Sequence, residues 1–287
     1  MQKSLKFYLT LFLVTLLVFS GATYWGYKKT PIAYAAAAYV TGTSAVAACT
    51  TSACTATTGT VDTTGATLLV MVIHGANGCQ NPASATVSDN LGNTWTQQGG
   101  FVDCANSGIG IDIWYSYNKS GGALSTGNDT FSGSMTSGGV AINVSSYSGT
   151  QTSSDPFDQK NSGHFSSVSG FTAPSVTPSV NGEVIINAAG EITGNPAGSV
   201  ALTGYTVLGL NTSTSYQQFD AYLVQPTAGA SAPTWSNLPF SGQVAYVNTF
   251  KAASSGPSPG PVGKPVLIQF NYIDKDKKLT LKTWTSL

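Results

Sequence analysis

Beyond residue 35, apolar residues recur in short runs of strand length, separated by clusters of Gly, Ser, Asn and Thr. The continuous apolar run at 66–75 is typical of a strand in the middle of a sheet, whereas the run at 108–117 alternates between apolar and polar positions. Further strand-like runs follow at 139–147, 182–190, 215–224 and 243–250. No segment here has a helical period. We therefore predict an all-β fold of ten or more antiparallel strands in two packed layers, a β-sandwich of jelly-roll type.

The N-terminal segment has a different pattern, because the residues at 7–27 are uncharged and mostly apolar, with lysines on both flanks. This run is longer than the usual signal-peptide core of about 7–15 residues and approaches the roughly 20 residues that span a bilayer. Ala33-Tyr34-Ala35 then fits the small-x-small pattern of a cleavage site. Residues 1–35 are predicted to be a cleaved signal peptide or an uncleaved membrane anchor. Either one places the remaining chain outside the cell or on its surface.

Three further segments follow from the pattern. Residues 36–252 are the predicted sandwich domain, and residues 253–265 form a Pro/Gly/Ser linker that should be extended. Residues 266–287 have the pattern strand, charged turn, strand. Because an isolated hairpin is marginally stable in water, we expect this one to dock on the main domain, to mediate self-association, or to begin a further module.

Composition supports export and argues against one class of function. Only 8% of residues are charged, against roughly 25% in ordinary soluble domains, and there is no arginine. Between Tyr39 and Ala252, three lysines stand against ten acidic residues, a net charge of about −7. Such a domain does not neutralise a phosphate backbone, so nucleic-acid binding is disfavoured.

The four cysteines also agree with export. They fall as Cys49/Cys54 and Cys79/Cys104, and none forms a CxxC motif. Three pairings are possible, and we favour these two sequential disulfides because each brackets a turn-rich stretch. A zinc site would need closer spacing and usually histidine, but the two histidines lie far apart in sequence.

The stretch SDNLGNTWTQ at 88–97 contains the candidate metal ligands Asp89, Asn90 and Asn93. A calcium loop of the EF-hand kind needs side-chain oxygens at its first, third and fifth positions and Gly at the sixth. Here the third position is Leu91, and the glycine comes too early. We predict a hairpin corner in which Gly92 or Asn90 takes a positive φ. The alternative is a calcium site completed by loops distant in sequence.

A sheet face is the best candidate for ligand binding. In the run at 108–117 the isoleucines occupy the core side, which would turn Asp112 and Trp114 to the other side. The same alternation would expose Asp220 and Tyr222 in 215–224, and Asn143 in 139–147. If these strands are neighbours, the five side chains share a solvated face. An aromatic plane with Asp and Asn around it suits a carbohydrate.

The candidate catalytic groups are weaker. Glycoside hydrolysis needs two carboxyls roughly 5–10 Å apart, but a strand between Glu183 and Glu191 would hold them about 26 Å apart. Asp155 and Asp158 are closer, in a sequence that indicates a turn. Nothing resembles a GxSxG nucleophile motif. We therefore predict a protein that is not an enzyme and has no cofactor, apart from the calcium alternative.

The order of motifs resembles a known class of domain. VSDNLGNTWTQ, WYSYNKSGG, NDTFSG, SSYSGTQTSSDPFDQ and VTPSVNGEVIINA follow one another between about Tyr39 and Ala252. This arrangement resembles exported microbial β-sandwich domains similar to concanavalin A-like and jelly-roll modules. The resemblance implies a binding or surface-display domain and carries over no catalytic residue. The acid-x-acid-x-acid strand of jelly-roll glucanases is missing.

These observations predict an exported surface protein that binds or adheres through its sandwich domain, with a glycan as the favoured ligand. The first alternative is a structural subunit of a cell envelope or filament, which would assemble by adding strands to a neighbour. A glycoside hydrolase is the third and least favoured hypothesis.

Overall fold

The computed structural model describes residues 36–47, 53–76, 85–103, 109–119, 123–135, 139–165, 170–192, 200–212, 216–238, 243–254, 268–273 and 278–283. Every regular element in these ranges is a β-strand, and every strand pair is antiparallel. The prediction of an all-β, antiparallel chain is therefore confirmed. The predicted signal peptide or anchor lies outside the described ranges. Within them, no helix has the length and apolar character that a bilayer crossing requires.

Two five-stranded sheets contain all six of the strongest predicted strands. Sheet 1 consists, in spatial order, of β1 (Ala38–Ala47), β10 (Gly139–Ser148), β4 (Leu68–Ala76), β7 (Ile109–Tyr117) and β6 (Thr96–Asp103). Sheet 2 consists of β11 (Phe157–Phe165), β18 (Gln243–Phe250), β13 (Glu183–Ile192), β16 (Tyr216–Gln225) and β15 (Thr206–Thr212).

The remaining strands form smaller sheets. One three-stranded sheet has the order β2 (Cys54–Thr57), β9 (Phe131–Met135), β5 (Thr86–Asp89), and the other the order β12 (Gly170–Thr172), β17 (Thr234–Ser236), β14 (Ala201–Leu202). β3 (Val61–Asp62) pairs with β8 (Asn128–Asp129). β19 (Ile268–Ile273) pairs with β20 (Lys278–Thr283) as a two-stranded sheet at the predicted hairpin. This sheet belongs to a different compact unit from residues 34–254.

Three buried clusters explain why these strands are so apolar. The inner core contains side chains of both large sheets, among them Val70 and Val72 of β4 and Val184 and Ile186 of β13. A second cluster joins the opposite face of sheet 1 to the sheet β2–β9–β5, and a third joins sheet 2 to β12–β17–β14. Strand β4 is therefore buried on both faces, which its continuous apolar sequence requires. Each fully buried aliphatic side chain contributes roughly 1.5–3 kcal/mol to this packing.

Both ends of the unit 34–254 meet at Gly149. A Cβ atom at Gly149 would lie 3.0 Å from the backbone oxygen of Ala36, and the Ala253 N–H donates to the Gly149 oxygen over 2.8 Å. Gly149 has a φ of 69°, a conformation that glycine adopts without steric cost. The first and last strands of the unit thus approach one turn after β10.

Candidate functional site

The predicted binding face is not a single face in the structure. In β16, Asp220 lies opposite Ala188 and Tyr222 lies opposite Ile186, and both of these β13 residues belong to the inner core. Phe219 instead belongs to the outer cluster beneath β12–β17–β14. The predicted alternation had the correct period and the wrong direction. Both faces of sheet 2 are buried, so the more apolar side of β16 does not identify the inward side.

The other members of the predicted face are also separated. Asn143 lies opposite Val72 and so faces the inner core. Asp112 lies opposite Ile73, and Trp114 packs with the same outer cluster as Ile73. Asp112, Asn143 and Asp220 are 0%, 2% and 0% exposed. The prediction of one solvated face formed by Asp112, Trp114, Asn143, Asp220 and Tyr222 was therefore wrong.

Asp112 is a buried carboxyl group that accepts side-chain hydrogen bonds at only one of its two oxygens. The Trp114 Nε1–H and the Gln97 side-chain amide both donate to its Oδ2 atom, over 2.8 and 2.5 Å. Its Oδ1 atom has no hydrogen-bond partner among the described residues. Burial outweighs these two neutral donors and raises the pKa of Asp112 to about 6.

Asp220 has a fuller set of partners inside the inner core. The His74 Nε2 atom of sheet 1 lies 3.2 Å from Asp220 Oδ1, and the Gln218 side-chain amide donates to Oδ2. His74, Gln218 and Asp220 are all completely buried. These three polar side chains connect the two large sheets. His74 and Asp220 are 146 residues apart in sequence. The three side chains have no access to a substrate, so their arrangement is structural.

The stretch 88–97 is a connection between sheets rather than a hairpin corner. β5 pairs with β9 in the small sheet, whereas β6 pairs with β7 in sheet 1, so the two flanking strands do not pair with each other as predicted. Gly92 does take a positive φ, 75°, which confirms that part of the prediction. The chain passes from the small sheet to sheet 1 at this turn, and the local sequence does not show that the two flanking strands belong to different sheets.

Hydrogen bonds hold this connection at several points. Asp89 Oδ1 accepts from the backbone N–H of Asn93 over 3.1 Å, and Asp89 Oδ2 accepts from Trp95 Nε1 over 2.7 Å. Asn90 Oδ1 accepts from the Thr130 backbone N–H over 2.8 Å. Each predicted calcium ligand thus has a structural role in the connection.

Asn93 forms a two-way bridge to the neighbouring loop. Its Oδ1 atom accepts from the Ser125 N–H over 2.8 Å, and its Nδ2 donates to the Ser125 oxygen over 3.0 Å. This paired contact fixes the loop after β7 against the connection between β5 and β6. It also closes one wall of a surface depression.

We call this depression the loop cavity. Its volume is about 420 Å³. It is lined by Gly92, Asn93, Thr94, Thr96, Ser116, Tyr117, Lys119, Ala123, Leu124 and Ser125. Amide and hydroxyl groups dominate the lining, with the partly exposed Tyr117 ring and the Lys119 ammonium group as its aromatic and cationic components. Of the predicted site residues, only Asn93 contributes to it.

Beside the same connection lies an acid that the sequence did not single out. Asp129 in β8 is 0% exposed, and within the described ranges neither of its carboxylate oxygens has a hydrogen-bond partner. Burial, together with the nearby charge of Asp89, raises the pKa of Asp129 to about 6, although the backbone N–H groups of Thr130 and Asn90 act to lower it. Asp129 belongs to a two-residue strand in NDTFSG, and no local pattern marks it as special.

The remaining candidate groups have structural partners. Asp155 accepts from the Tyr115 hydroxyl over 2.8 Å, and Asp158 forms an ion pair with Lys251 over 3.1 Å. Glu183 accepts from the Val180 N–H over 2.8 Å. Asp155 also accepts from the Phe157 N–H over 2.9 Å, as expected of a turn, whereas Asp158 lies within β11, so the predicted turn does not extend to it.

The structure leaves the predicted cysteine pairings untested. Cys104, the predicted partner of Cys79, comes directly after β6 in sequence, and both residues lie outside the described ranges. Cys49 lies outside them as well, whereas its predicted partner Cys54 is buried in the second cluster. The Cys79–Cys104 and Cys49–Cys54 disulfides therefore stay predictions from spacing alone.

A metal centre and a known family are the two remaining questions at this site. Within the described ranges, no three side chains of the His, Cys, Asp and Glu types come together as a metal-binding group. Comparison of the chain with protein-family models and with curated proteins gives no match.

Proposed function

We propose that this is an exported surface protein whose domain at 36–252 is a β-sandwich of jelly-roll type. In this proposal the domain binds a glycan and does not cleave it. The loop cavity is the binding site in this proposal, in place of the sheet face predicted from the sequence. The carrying observation is the composition of its walls. One partly exposed aromatic ring stands among amide and hydroxyl groups, next to a single lysine.

The chemistry of a sugar fits these walls. A pyranose ring stacks its C–H face on an aromatic plane such as Tyr117, while its hydroxyl groups exchange hydrogen bonds with Asn93, Thr94 and Ser116. The volume of about 420 Å³ falls in the range of roughly 300–1,000 Å³ common for small-molecule sites. Lys119 would favour a glycan that carries a carboxylate or sulfate group.

Two arrangements support binding over hydrolysis. Asp112 and Asp220, the carboxyl groups that the sequence offered near a sugar, are completely buried, one in the outer layer and one in the inner core. Neither lines the loop cavity, and no acidic side chain is among its lining residues. A glycoside hydrolase needs two carboxyl groups on either side of the bond it cleaves.

A glycan array probed with and without calcium tests this proposal. We expect binding to neutral or acidic oligosaccharides that falls at least tenfold in Tyr117→Ala, which removes the stacking plane. Tyr39→Ala is the matched control, because Tyr39 is a partly exposed tyrosine of β1 that does not line the cavity. Equal loss in both variants, or retention in both, would contradict a site at the cavity. Silence of the wild type across the array would favour the structural-subunit alternative.

A further inference from the structure

Asp129 is a buried carboxyl group that accepts no hydrogen bond from the residues that the structure describes. Its side chain is fully enclosed, and both oxygens lack a partner. The nearby N–H groups are used elsewhere, since Asn90 donates to the Thr130 oxygen and Thr130 donates to Asn90 Oδ1. A carboxylate removed from water without compensation is among the costliest arrangements in a folded chain, so such groups are normally paired or bound to a metal.

A second carboxylate lies on the same side of the sheet. Asp89 of β5 is the register partner of Phe131, and residues 129 and 131 share one side of an extended chain. Burial and the charge of Asp89 both raise the pKa of Asp129. In the ranges that the structure describes, the basic side chains found next to acids are His74, beside Asp220, and Lys251, beside Asp158, and neither contacts this acidic pair.

We propose that Asp89 and Asp129 together bind a divalent cation, with Ca²⁺ the ion whose preferences they fit. Two carboxylates offer up to four oxygen ligands, and Ca²⁺ accepts six to eight oxygens in an adaptable geometry that backbone carbonyls and water can complete. No sulfur or imidazole is involved, which disfavours zinc and copper. The proposal does not depend on glycan binding at the loop cavity.

This site differs from the one that the sequence suggested. The side-chain oxygens of Asn90 and Asn93 accept backbone hydrogens of Thr130 and Ser125, and neither residue carries the charge that Asp129 adds. Asp89 keeps free lone pairs, because each of its oxygens accepts only one hydrogen bond and a carboxylate oxygen has two acceptor positions. The essential member is Asp129, which comes from a strand 40 residues away.

A bound ion would stabilise the connection that forms one wall of the loop cavity. Asp89 holds the backbone of Asn93 and the indole of Trp95, and Asn93 holds Ser125. Neutralising the repulsion between Asp89 and Asp129 would therefore fix the positions of both loops at once. Calcium would organise the cavity without touching a ligand in it.

Terbium luminescence tests the site directly, because Tb³⁺ replaces Ca²⁺ and is sensitised by a nearby indole. Trp95 Nε1 lies 2.7 Å from Asp89 Oδ2, which places the indole beside the proposed ion. With the full-length protein, we expect a luminescence signal that Ca²⁺ displaces and that weakens at least tenfold in Asp129→Asn. Asp62→Asn is the matched control, since Asp62 is an exposed acid in β3, which pairs with β8. An unchanged signal in Asp129→Asn, or a wild-type signal that Ca²⁺ does not displace, would overturn the proposal.

Thermal unfolding with Ca²⁺ or with a chelator provides a second readout that does not depend on tryptophan. At a calcium concentration about 100 times Kd, the wild-type Tm should rise by roughly 5–10 °C, and Asp129→Asn should show no rise. Asp89→Asn serves the same purpose if Asp129→Asn does not fold. A wild-type Tm that is indifferent to Ca²⁺, with Asp129→Asn more stable than the wild type, would show that a proton and not a metal ion neutralises Asp129.

Discussion

Asp220 and Asp129 are both completely buried, but they differ in their hydrogen-bond partners. Asp220 lies between the two large sheets, where His74 and Gln218 occupy its oxygens. Asp129 lies between two residues that Asn90 of the connection contacts, and no described residue donates a hydrogen bond to it. Burial alone therefore does not reveal whether an acid is structural. The presence or absence of partners does.

The surroundings of the two acids account for this difference. β16 is a ten-residue strand with paired neighbours on both sides, so water and ions have no access to Asp220. β8 has only two residues and lies near loops that border solvent. A charge in the closed interior has to be neutralised by the chain itself, whereas a charge near a loop can be neutralised by an ion from solution.

Removing the partner of Asp220 should have the largest effect, because it would make the two regions alike. In His74→Leu, the carboxylate keeps only Gln218, and a broken buried pair of this kind costs about 3–5 kcal/mol of unfolding free energy. Urea unfolding followed by circular dichroism would measure this loss. The double variant His74→Leu/Asp220→Asn, which removes the charge as well, should recover most of the stability. No recovery would show that shape, and not charge, dominates at this position.

Asp112 is intermediate between the two acids, since its side-chain donors are neutral and reach only one of its oxygens. Its folded pKa of about 6 exceeds the usual 3.8, so the folded state holds the proton more tightly than the unfolded chain. The stability contributed by this proton is complete below about pH 4 and is lost as pH rises through 6. Asp112→Asn keeps an acceptor for Gln97 and Trp114 and has no such loss. Between pH 4.5 and 7.5, its unfolding free energy should therefore gain roughly 1–2 kcal/mol on the wild type, measured by urea titration. A pH-independent difference between the two proteins would contradict this prediction.

The smallest effect is expected at an ion pair close to solvent. Lys251 Nζ lies 3.1 Å from Asp158 Oδ1, and the lysine side chain is 30% exposed. Such pairs contribute about 0.2–1 kcal/mol, because water solvates both charges well. Lys251→Met should lower the unfolding free energy by no more than this, and the difference should shrink in 1 M salt. A loss as large as that of His74→Leu would mean that exposure does not govern the strength of ion pairs in this protein.

The sequence predicts the strands well because strand formation depends on the local order of apolar and polar residues. The run at 243–250 coincides with β18, and 66–75 overlaps almost all of β4. The face of a strand that points inward is a tertiary property. For β7 the isoleucines identify the inner side correctly, since Trp114 and Asp112 interrupt the other side. For β16, aromatic and aliphatic residues occur on both sides, and the choice between them depends on β13 and on the sheet β12–β17–β14.

The candidate sites illustrate the same limit. Asn93 was found from its loop sequence, and it does line the loop cavity. Tyr117, Lys119 and Ser125 were missed because they become its neighbours only when the loop after β7 folds back onto the connection. Asp129 could not be found from a two-residue strand, because its isolation from donors depends on how the connection at 88–97 folds over it. A site formed by residues from different layers has no characteristic spacing in the sequence by which it could be recognised.

The meeting of both chain ends at Gly149 bears on how the domain can be rebuilt. Ala36 and Ala253 both contact this one glycine, so a few added residues would join them. The chain could then be opened at another surface loop to give a circular permutant with the same strand pairs in a new order. In such a protein β1 would follow β18 directly along the chain. The strands would pair as they do now, because the pairing depends on which residues contact one another and not on the order in which the strands are synthesised.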